Sequence, residues 1–415
     1  MTSTDPTTGV TDRPLSLYHL LDPEVLADPY PLYRELREHD PVHWDPYLHA
    51  WVVTRYEDVA TVFRRFSADR TPSPEYFEAL GVPEVGPIAR MMVQQMLFLD
   101  APAHTRLRRL AGPAFQPAQV NTLRPHIQDI ADRLVDDILA RGPGRMDMLA
   151  DFAEPLPAMV TTELLGVPVE HHVELKEWSV TFAGMLGNFQ HNPDLLPGVL
   201  EAVENLSDYF RDAMAEQRRN PRPGLLGELL RAEVDGDRLT DEEIAANCVV
   251  TMVGGLETTT NLIGNGMMTL LRNPQQMQRL RDEPGILPAA VEELLRYESP
   301  SQQTARIARD DVELGGKQIK KGQAVIAVMA AGNRDPERFP DPDRLDFDRP
   351  DNRHLAFGWA SHFCFGAPLA RLEADVAFST LLRRLPGLTL VDEPLVWRDN
   401  LGLRGLTALP LELPA

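Results

Sequence analysis

FGWASHFCFGAPLARLE, residues 357–373, puts one of the chain's two cysteines, Cys364, into a loop of small and aromatic residues just ahead of an amphipathic run. Gly358, Ala360 and Ser361 before the sulfur and Gly366 after it let the backbone approach a flat, bulky partner closely. Pro368 suits the first turn of a helix continuing through Leu369, Leu372, Val376 and Leu381, which places the sulfur near that helix's N-terminus. Free N–H groups at such an end stabilise a thiolate, the form that ligates metals or attacks electrophiles. Three readings stand open: a buried structural cysteine, a nucleophile served by His362, and a lone axial ligand to haem iron with Phe357 and Phe363 as apolar cover.

Composition narrows the setting. The chain has 415 residues, 43% hydrophobic and 25% charged, the balance of a folded protein with a large core. No window approaches the roughly 18 uninterrupted apolar residues of a membrane span, and MTSTDPTTGVTDRP at the start lacks a basic and apolar leader pattern. The expectation is a disordered tail over 1–13, one domain over 14–415, and a cytoplasmic location. Two cysteines are too few for a sulfur-only zinc site or a four-cysteine cluster. A net charge of −21 argues against nucleic acid and anionic membranes as partners.

Helical periodicity dominates. In NTLRPHIQDIADRLVDDILAR, 121–141, Leu123, Ile127, Ile130, Leu134 and Ile138 recur at three- and four-residue spacings. Strand patterns are short: HAWVVTRY at 49–56, KQIKKGQAVIAVMA at 317–330, and a broken set from LTLVDE to the C-terminus. The fold class is therefore mainly α with small β-sheets, without regular strand–helix alternation. FPDPDRLDFDRPDNRH, 339–354, reads as a packed irregular loop leading to the cysteine segment.

A long helix is expected from Thr240 to about Arg272, opened by a capping box of Thr240 and Glu243. Its middle carries Gly254-Gly255-Leu256-Glu257-Thr258-Thr259-Thr260. Each interior glycine costs about 1 kcal/mol against alanine, so local propensity is violated where burial is expected. Either the helix opens there to admit a small ligand, with Glu257 and Thr258 handling protons, or the glycines serve close packing and the threonines bond one turn back.

The residues Phe357-Gly358, His362, Cys364, Gly366, Leu369-Ala370-Arg371 and Glu373 resemble the haem loop of the cytochrome P-450 superfamily. Gly254-Gly255-x-Glu257-Thr258 resembles that family's oxygen-activating helix, Glu293-Leu294-Leu295-Arg296 its E-x-x-R pair, and AGNRDPERFPDPDRLDFDRP the segment ahead of the cysteine. The motifs stand in the family's order from about Pro14 onward. The resemblance implies a triangular α-rich prism with haem b held by the Cys364 thiolate. It places haem contacts on His104, Arg108, Gly254, Gly255, Arg306, Phe357, His362 and Gly366, the proton relay on Glu257 and Thr258, and a structural ion pair on Glu293, Arg296 and Arg349. One departure is Ala360, where the family usually has glycine.

The same resemblance points the substrate pocket to 84–98, 181–190, Val253, 299–304 and the loop near Leu401, with Met91, Met92, Met96 and Met185 as an adaptable apolar lining. It implies a haem-thiolate monooxygenase that uses O2 and electrons from NAD(P)H, delivered by a ferredoxin and its reductase. The implied substrate is an apolar small molecule of bacterial secondary metabolism, such as a polyketide or macrolide intermediate. Arg106, Arg109 and Arg371 are expected to form a basic patch for an acidic ferredoxin. The alternatives are a peroxide-using or rearranging haem-thiolate enzyme, and a non-catalytic haem sensor or carrier.

Overall fold

The computed structural model describes residues 14–186, 193–234 and 236–414. The expected tail over 1–13 and the end of the 181–190 stretch, from 187 on, lie outside the described residues. The chain is mainly helical with small sheets. The helices that frame the site are α1 (Tyr56–Arg65), α2 (Gly86–Met92), α3 (Ala103–Ala111), α4 (Arg124–Ala140), α5 (Pro155–Leu165), α6 (His172–Ala183), α7 (Leu196–Arg219), α8 (Asp241–Arg272), α9 (Leu287–Tyr297) and α10 (Ala367–Arg384).

Strands β1 (Val42–Asp45), β2 (Ala50–Val53), β4 (Thr304–Ile307) and β5 (Ala324–Ala327) form a sheet in the order β1-β2-β5-β4. Its one parallel pairing sets Trp51 opposite Val325. A second sheet, β6-β7-β3, joins β3 (Gly144–Asp147), β6 (Thr389–Leu390) and β7 (Pro410–Leu413), with Leu411 opposite Met146.

Helix α8 is the axis of the molecule. Thr240 Oγ1 accepts from the Glu243 amide at 3.1 Å, and the Glu243 carboxylate accepts from the Thr240 amide at 2.9 Å, closing the capping box. At 1.5 Å per residue its 32 residues span roughly 48 Å. It packs against α5, α6, α7, α9 and α10, and buries most of its surface from Ile244 to Leu270. An opening at the glycine pair does not occur, because the helix runs unbroken across it. The Thr258 hydroxyl donates to the Gly254 carbonyl at 2.6 Å. An added Cβ on Gly255 would lie 2.7 Å from Thr161 Oγ1 on α5, so this glycine serves close packing. Gly254 differs, since a Cβ there meets nothing within 4 Å.

Glu293 and Arg296 on α9 are both fully buried and pair at 2.8 Å. Arg349 reaches the same carboxylate at 3.3 Å, Asn352 Nδ2 donates to it at 3.1 Å and the Asp346 amide at 2.9 Å. Arg296 in turn donates to the carbonyls of Asn333, Pro342 and Arg344. The 339–354 segment, which contains neither helix nor strand, is thus held by one buried ion cluster rather than by a backbone ladder.

Candidate active site

The cysteine loop is a tight turn set on α10. The Cys364 amide donates to the Phe357 carbonyl at 2.8 Å, and Gly366 caps α10 with Pro368 in its first turn. Burial pushes the Cys364 thiol up, while the Gly366 amide, Arg108, Arg371 and the Ala367 amide favour the thiolate. A bound metal adds the charge that tips this balance toward the thiolate. The second cysteine, Cys248, is free and buried on α8, and burial pushes its thiol up to about 12, which leaves it inert.

Gly358 adopts φ +70°, and Ala360 adopts φ +56°, in the left-handed region. The side chain of Ala360 therefore strains the turn. Ala360→Gly is expected to raise stability by about 1 kcal/mol in urea unfolding, and an unchanged midpoint would show that the strain is relieved elsewhere.

Around the loop lies an excess of cations and imidazoles. His104 and His362 stack with ring centroids 4.1 Å apart. His104 is lowered by burial and by Arg108, and His362 is lowered to about 3 by burial, Arg306 and His104. Both rings are therefore neutral N–H donors at neutral pH. Arg306 on β4 is buried, lies over the Phe63 ring at 5.1 Å, and leaves Nε without a partner. Arg108 donates to the carbonyls of Ser361 and Phe363, both at 2.7 Å, and so braces the loop.

Arg70 belongs to this set and went unread in the sequence. It bonds the Ala68 carbonyl, lies over Phe98 at 4.5 Å, and is lowered to about 9 by burial and by Arg306. Among the described residues the carboxylate acting on this group is Asp100, and Asp100 is already held by Ser67, the Ala68 amide and Arg309. Buried guanidinium groups without a counter-charge call for an anionic partner. A dicarboxylate such as the two propionates of haem fits the donor set, and the open side of Gly254 fits close approach of a flat group.

On α8, burial pushes the Glu257 carboxyl up to about 7, with Arg398 and the Asn261 amide pulling the other way. An acid raised in the folded state contributes stability that is fully present below its unfolded value of 4.5 and is lost as pH rises through about 7. The stability of the wild type relative to Glu257→Gln is therefore expected to fall by about 3 kcal/mol across that window. Parallel urea titrations measure it, and parallel pH profiles would contradict the assignment.

Met91 and Val253 are buried in one apolar cluster with Ile88, Phe182 and Leu256, and Met92, Met96 and Met185 pack against it. Leu401 does not join them: it is buried in a separate cluster with Leu17, Val52 and Ile326. Leu403, not Leu401, packs against the cluster that holds the methionines. Asn247 on α8, also unread, accepts from the Met96 amide and donates to the Gln94 carbonyl, both at 3.0 Å, pinning 94–96 to the long helix.

The expected basic patch needs correction. Arg106 is bonded to both Asp237 and Glu243 at 2.6 Å, and Arg371 is bidentate to Glu292 at 2.6 and 2.8 Å. Their charges are spent on Asp237 just ahead of α8, on Glu243 in its first turn, and on Glu292 of α9. Acidic residues distant in sequence close onto both arginines, which spacing alone does not reveal.

The family model described as Cytochrome P450 matches residues 49–393. The chain is 38% identical over 392 residues to the biotin biosynthesis cytochrome P450 of Bacillus subtilis, covering 94% of this chain and 97% of that one. It is 40% identical over 404 residues to cytochrome P450 monooxygenase PikC of Streptomyces venezuelae, covering 94% and 92%. Among solved structures, P450BioI in complex with hexadec-9Z-enoic acid ligated acyl carrier protein aligns with a TM-score of 0.88 at 35% identity. That alignment covers 94% of this chain and 99% of the other.

Proposed function

We propose that this chain, which belongs to the cytochrome P450 family and is a haem-thiolate monooxygenase, oxidises an apolar, medium-to-large molecule of secondary metabolism by hydroxylation or epoxidation. The observation that carries the reading is a sulfur supported by helix-end amides beside a set of buried cations short of counter-charge. Haem held by a cysteine thiolate supplies the activation of O2.

The rest is done by the chain. Cys364 would hold the iron, and Arg70, His104, Arg306 and His362 would hold the propionates. Arg108 positions the loop that carries the sulfur, and the buried Phe357 shields that loop from water, whereas Phe363 is exposed. Gly254 lets a ligand approach α8, while the Thr258 hydroxyl and the Glu257 carboxyl pass protons into the pocket. Glu257 suits this task because burial leaves it near half-protonation at neutral pH. The Met91, Met92, Met96 and Met185 surface, with Val253 and Leu403, accepts an apolar substrate of variable shape. Electrons come from NAD(P)H through a ferredoxin and its reductase.

Thr258→Ala tests the relay. Haem content and substrate affinity are expected to stay within about twofold, while most reducing equivalents leave as hydrogen peroxide instead of product, a loss of order 10-fold or more in coupling. Full product yield per electron would remove Thr258 from the relay. Spin-state titration tests the substrate class. Polyketide or macrolide scaffolds are expected to shift the haem spin state, and a response confined to fatty acids or small terpenes would contradict the proposal. An acyl-chain substrate is the second reading, favoured by the acyl group in the P450BioI complex.

A further inference from the structure

The segment 94–98 is fixed to α8 through its main chain. Asn247 holds the Gln94 carbonyl and the Met96 amide, both at 3.0 Å, and Gln95 stands between those two bonds. The Gln95 backbone is paired as well: its N–H donates to the Met92 carbonyl and its carbonyl accepts from the Phe98 amide, both at 3.0 Å. Its side chain is not. Gln95 is 0% exposed, and among the described residues neither Nε2 nor Oε1 has a partner. Met92 and Met96, on either side, pack against the apolar cluster of Met91, Val253 and Leu256. A primary amide buried there has given up its bonds to water, a cost that persists where a ligand supplies the missing bonds.

A second buried amide is half-used in the same way. Gln303, 5% exposed, lies just ahead of β4, where the chain is laced to the C-terminal loop. The Gln302 amide donates to the Gly402 carbonyl at 2.8 Å, and the Arg404 amide to the Pro300 carbonyl at 2.7 Å. Gln303 Nε2 donates to the Leu401 carbonyl at 3.0 Å, while Oε1 has no partner among the described residues. Its neighbour Gln302 shows the structural alternative: Nε2 donates to the Ser299 carbonyl at 2.7 Å and Oε1 accepts from the Tyr33 hydroxyl at 3.1 Å. The loop bonded to Gln303 carries Leu403, which packs against the methionine cluster. Both orphaned amides therefore lie on segments that adjoin this apolar surface.

We propose that Gln95 and Gln303 are specificity-determining residues that read oxygen atoms on an otherwise apolar substrate. Gln95 offers a free N–H and a free C=O, and so takes a carbonyl or a hydroxyl. Gln303 has committed Nε2 to Leu401 and offers its C=O, and so takes a hydroxyl. The substrate is thus an oxygenated apolar skeleton rather than a bare hydrocarbon. The inference deepens the reading of the methionine-lined pocket and rests on it.

The test titrates the ferric holoenzyme with cyclopentadecane, cyclopentadecanone and cyclopentadecanol, three rings of equal size, following the haem spin state. Wild type, Gln95→Leu and the double variant Gln95→Leu/Gln303→Leu are compared. Wild type is expected to bind the ketone and the alcohol about tenfold more tightly than the hydrocarbon. Gln95→Leu is expected to lose the preference for the ketone, which needs an N–H. It should keep part of the preference for the alcohol, which the double variant then loses. Urea unfolding without ligand gives a second readout. Leucine removes an unpaired buried amide, so Gln95→Leu is expected to raise the midpoint, whereas a structural role for the amide predicts a fall. Equal affinity of wild type for all three rings, a ketone preference that survives in Gln95→Leu, or a lowered midpoint would each overturn the proposal and leave the apolar pocket in place. If none of the rings shifts the spin state in any of the proteins, the pocket reading falls and the inference falls with it.

Discussion

Cys364→His is expected to give a folded haem protein that forms almost no product. Gly366 caps α10 immediately beyond the loop, and the backbone bond from Cys364 to Phe357 does not involve the side chain, so the fold should survive. An imidazole is neutral and lacks the electron donation that favours O–O cleavage. Product formed per NAD(P)H should fall by more than about 100-fold, beyond the usual cost of losing a supporting contact around a metal. Retention of more than a tenth of wild-type product would place the essential ligand elsewhere.

Glu293→Leu is expected to be the most destabilising single change outside the haem loop. It strands Arg296 fully buried, and removes the acceptor used by Arg349, Asn352 and the Asp346 amide. Breaking a buried pair from one side costs about 3–5 kcal/mol. The loss should also reach the haem loop, because Asn333, whose carbonyl accepts from Arg296, accepts in turn from the Leu355 amide through its side chain. Haem retention should therefore fall together with stability. Adding Arg296→Met should recover only part, since Arg296 also satisfies three loop carbonyls that methionine cannot. Equal stability of Glu293→Leu and wild type in urea would contradict the clamp.

Much of the framework was legible because it rests on local chemistry. The capping box of Thr240 and Glu243 marks the start of α8, Pro368 marks the start of α10, and the 121–141 periodicity contains α4. The cysteine loop was legible for the same reason, since its glycines, sulfur and helix start lie within a few residues. Strands β1, β3 and β4 were not read, because four residues of mixed polarity carry too little period-two signal.

The parts of the site that escaped are those made by long-range closure. Nothing next to Arg70 in the sequence marks it as part of the site, and only the folded chain brings its charge to bear with that of Arg306. Leu401 and Leu403 are indistinguishable by composition, yet they lie in different apolar clusters because the loop turns between them. Arg106 and Arg371 carry no local mark of the acids that neutralise them. Glu292 shows the strength of that closure: burial raises it, yet Arg371 and His354 hold it down to about 2.

The central claim is that Cys364 ligates haem iron as a thiolate. The most direct measurement is the absorption spectrum of the reduced, carbon monoxide-bound protein as purified with haem. A red-shifted, thiolate-type Soret band that disappears in Cys364→His is the predicted result. A histidine-type band in the wild type, or a thiolate-type band that persists in the variant, would contradict it.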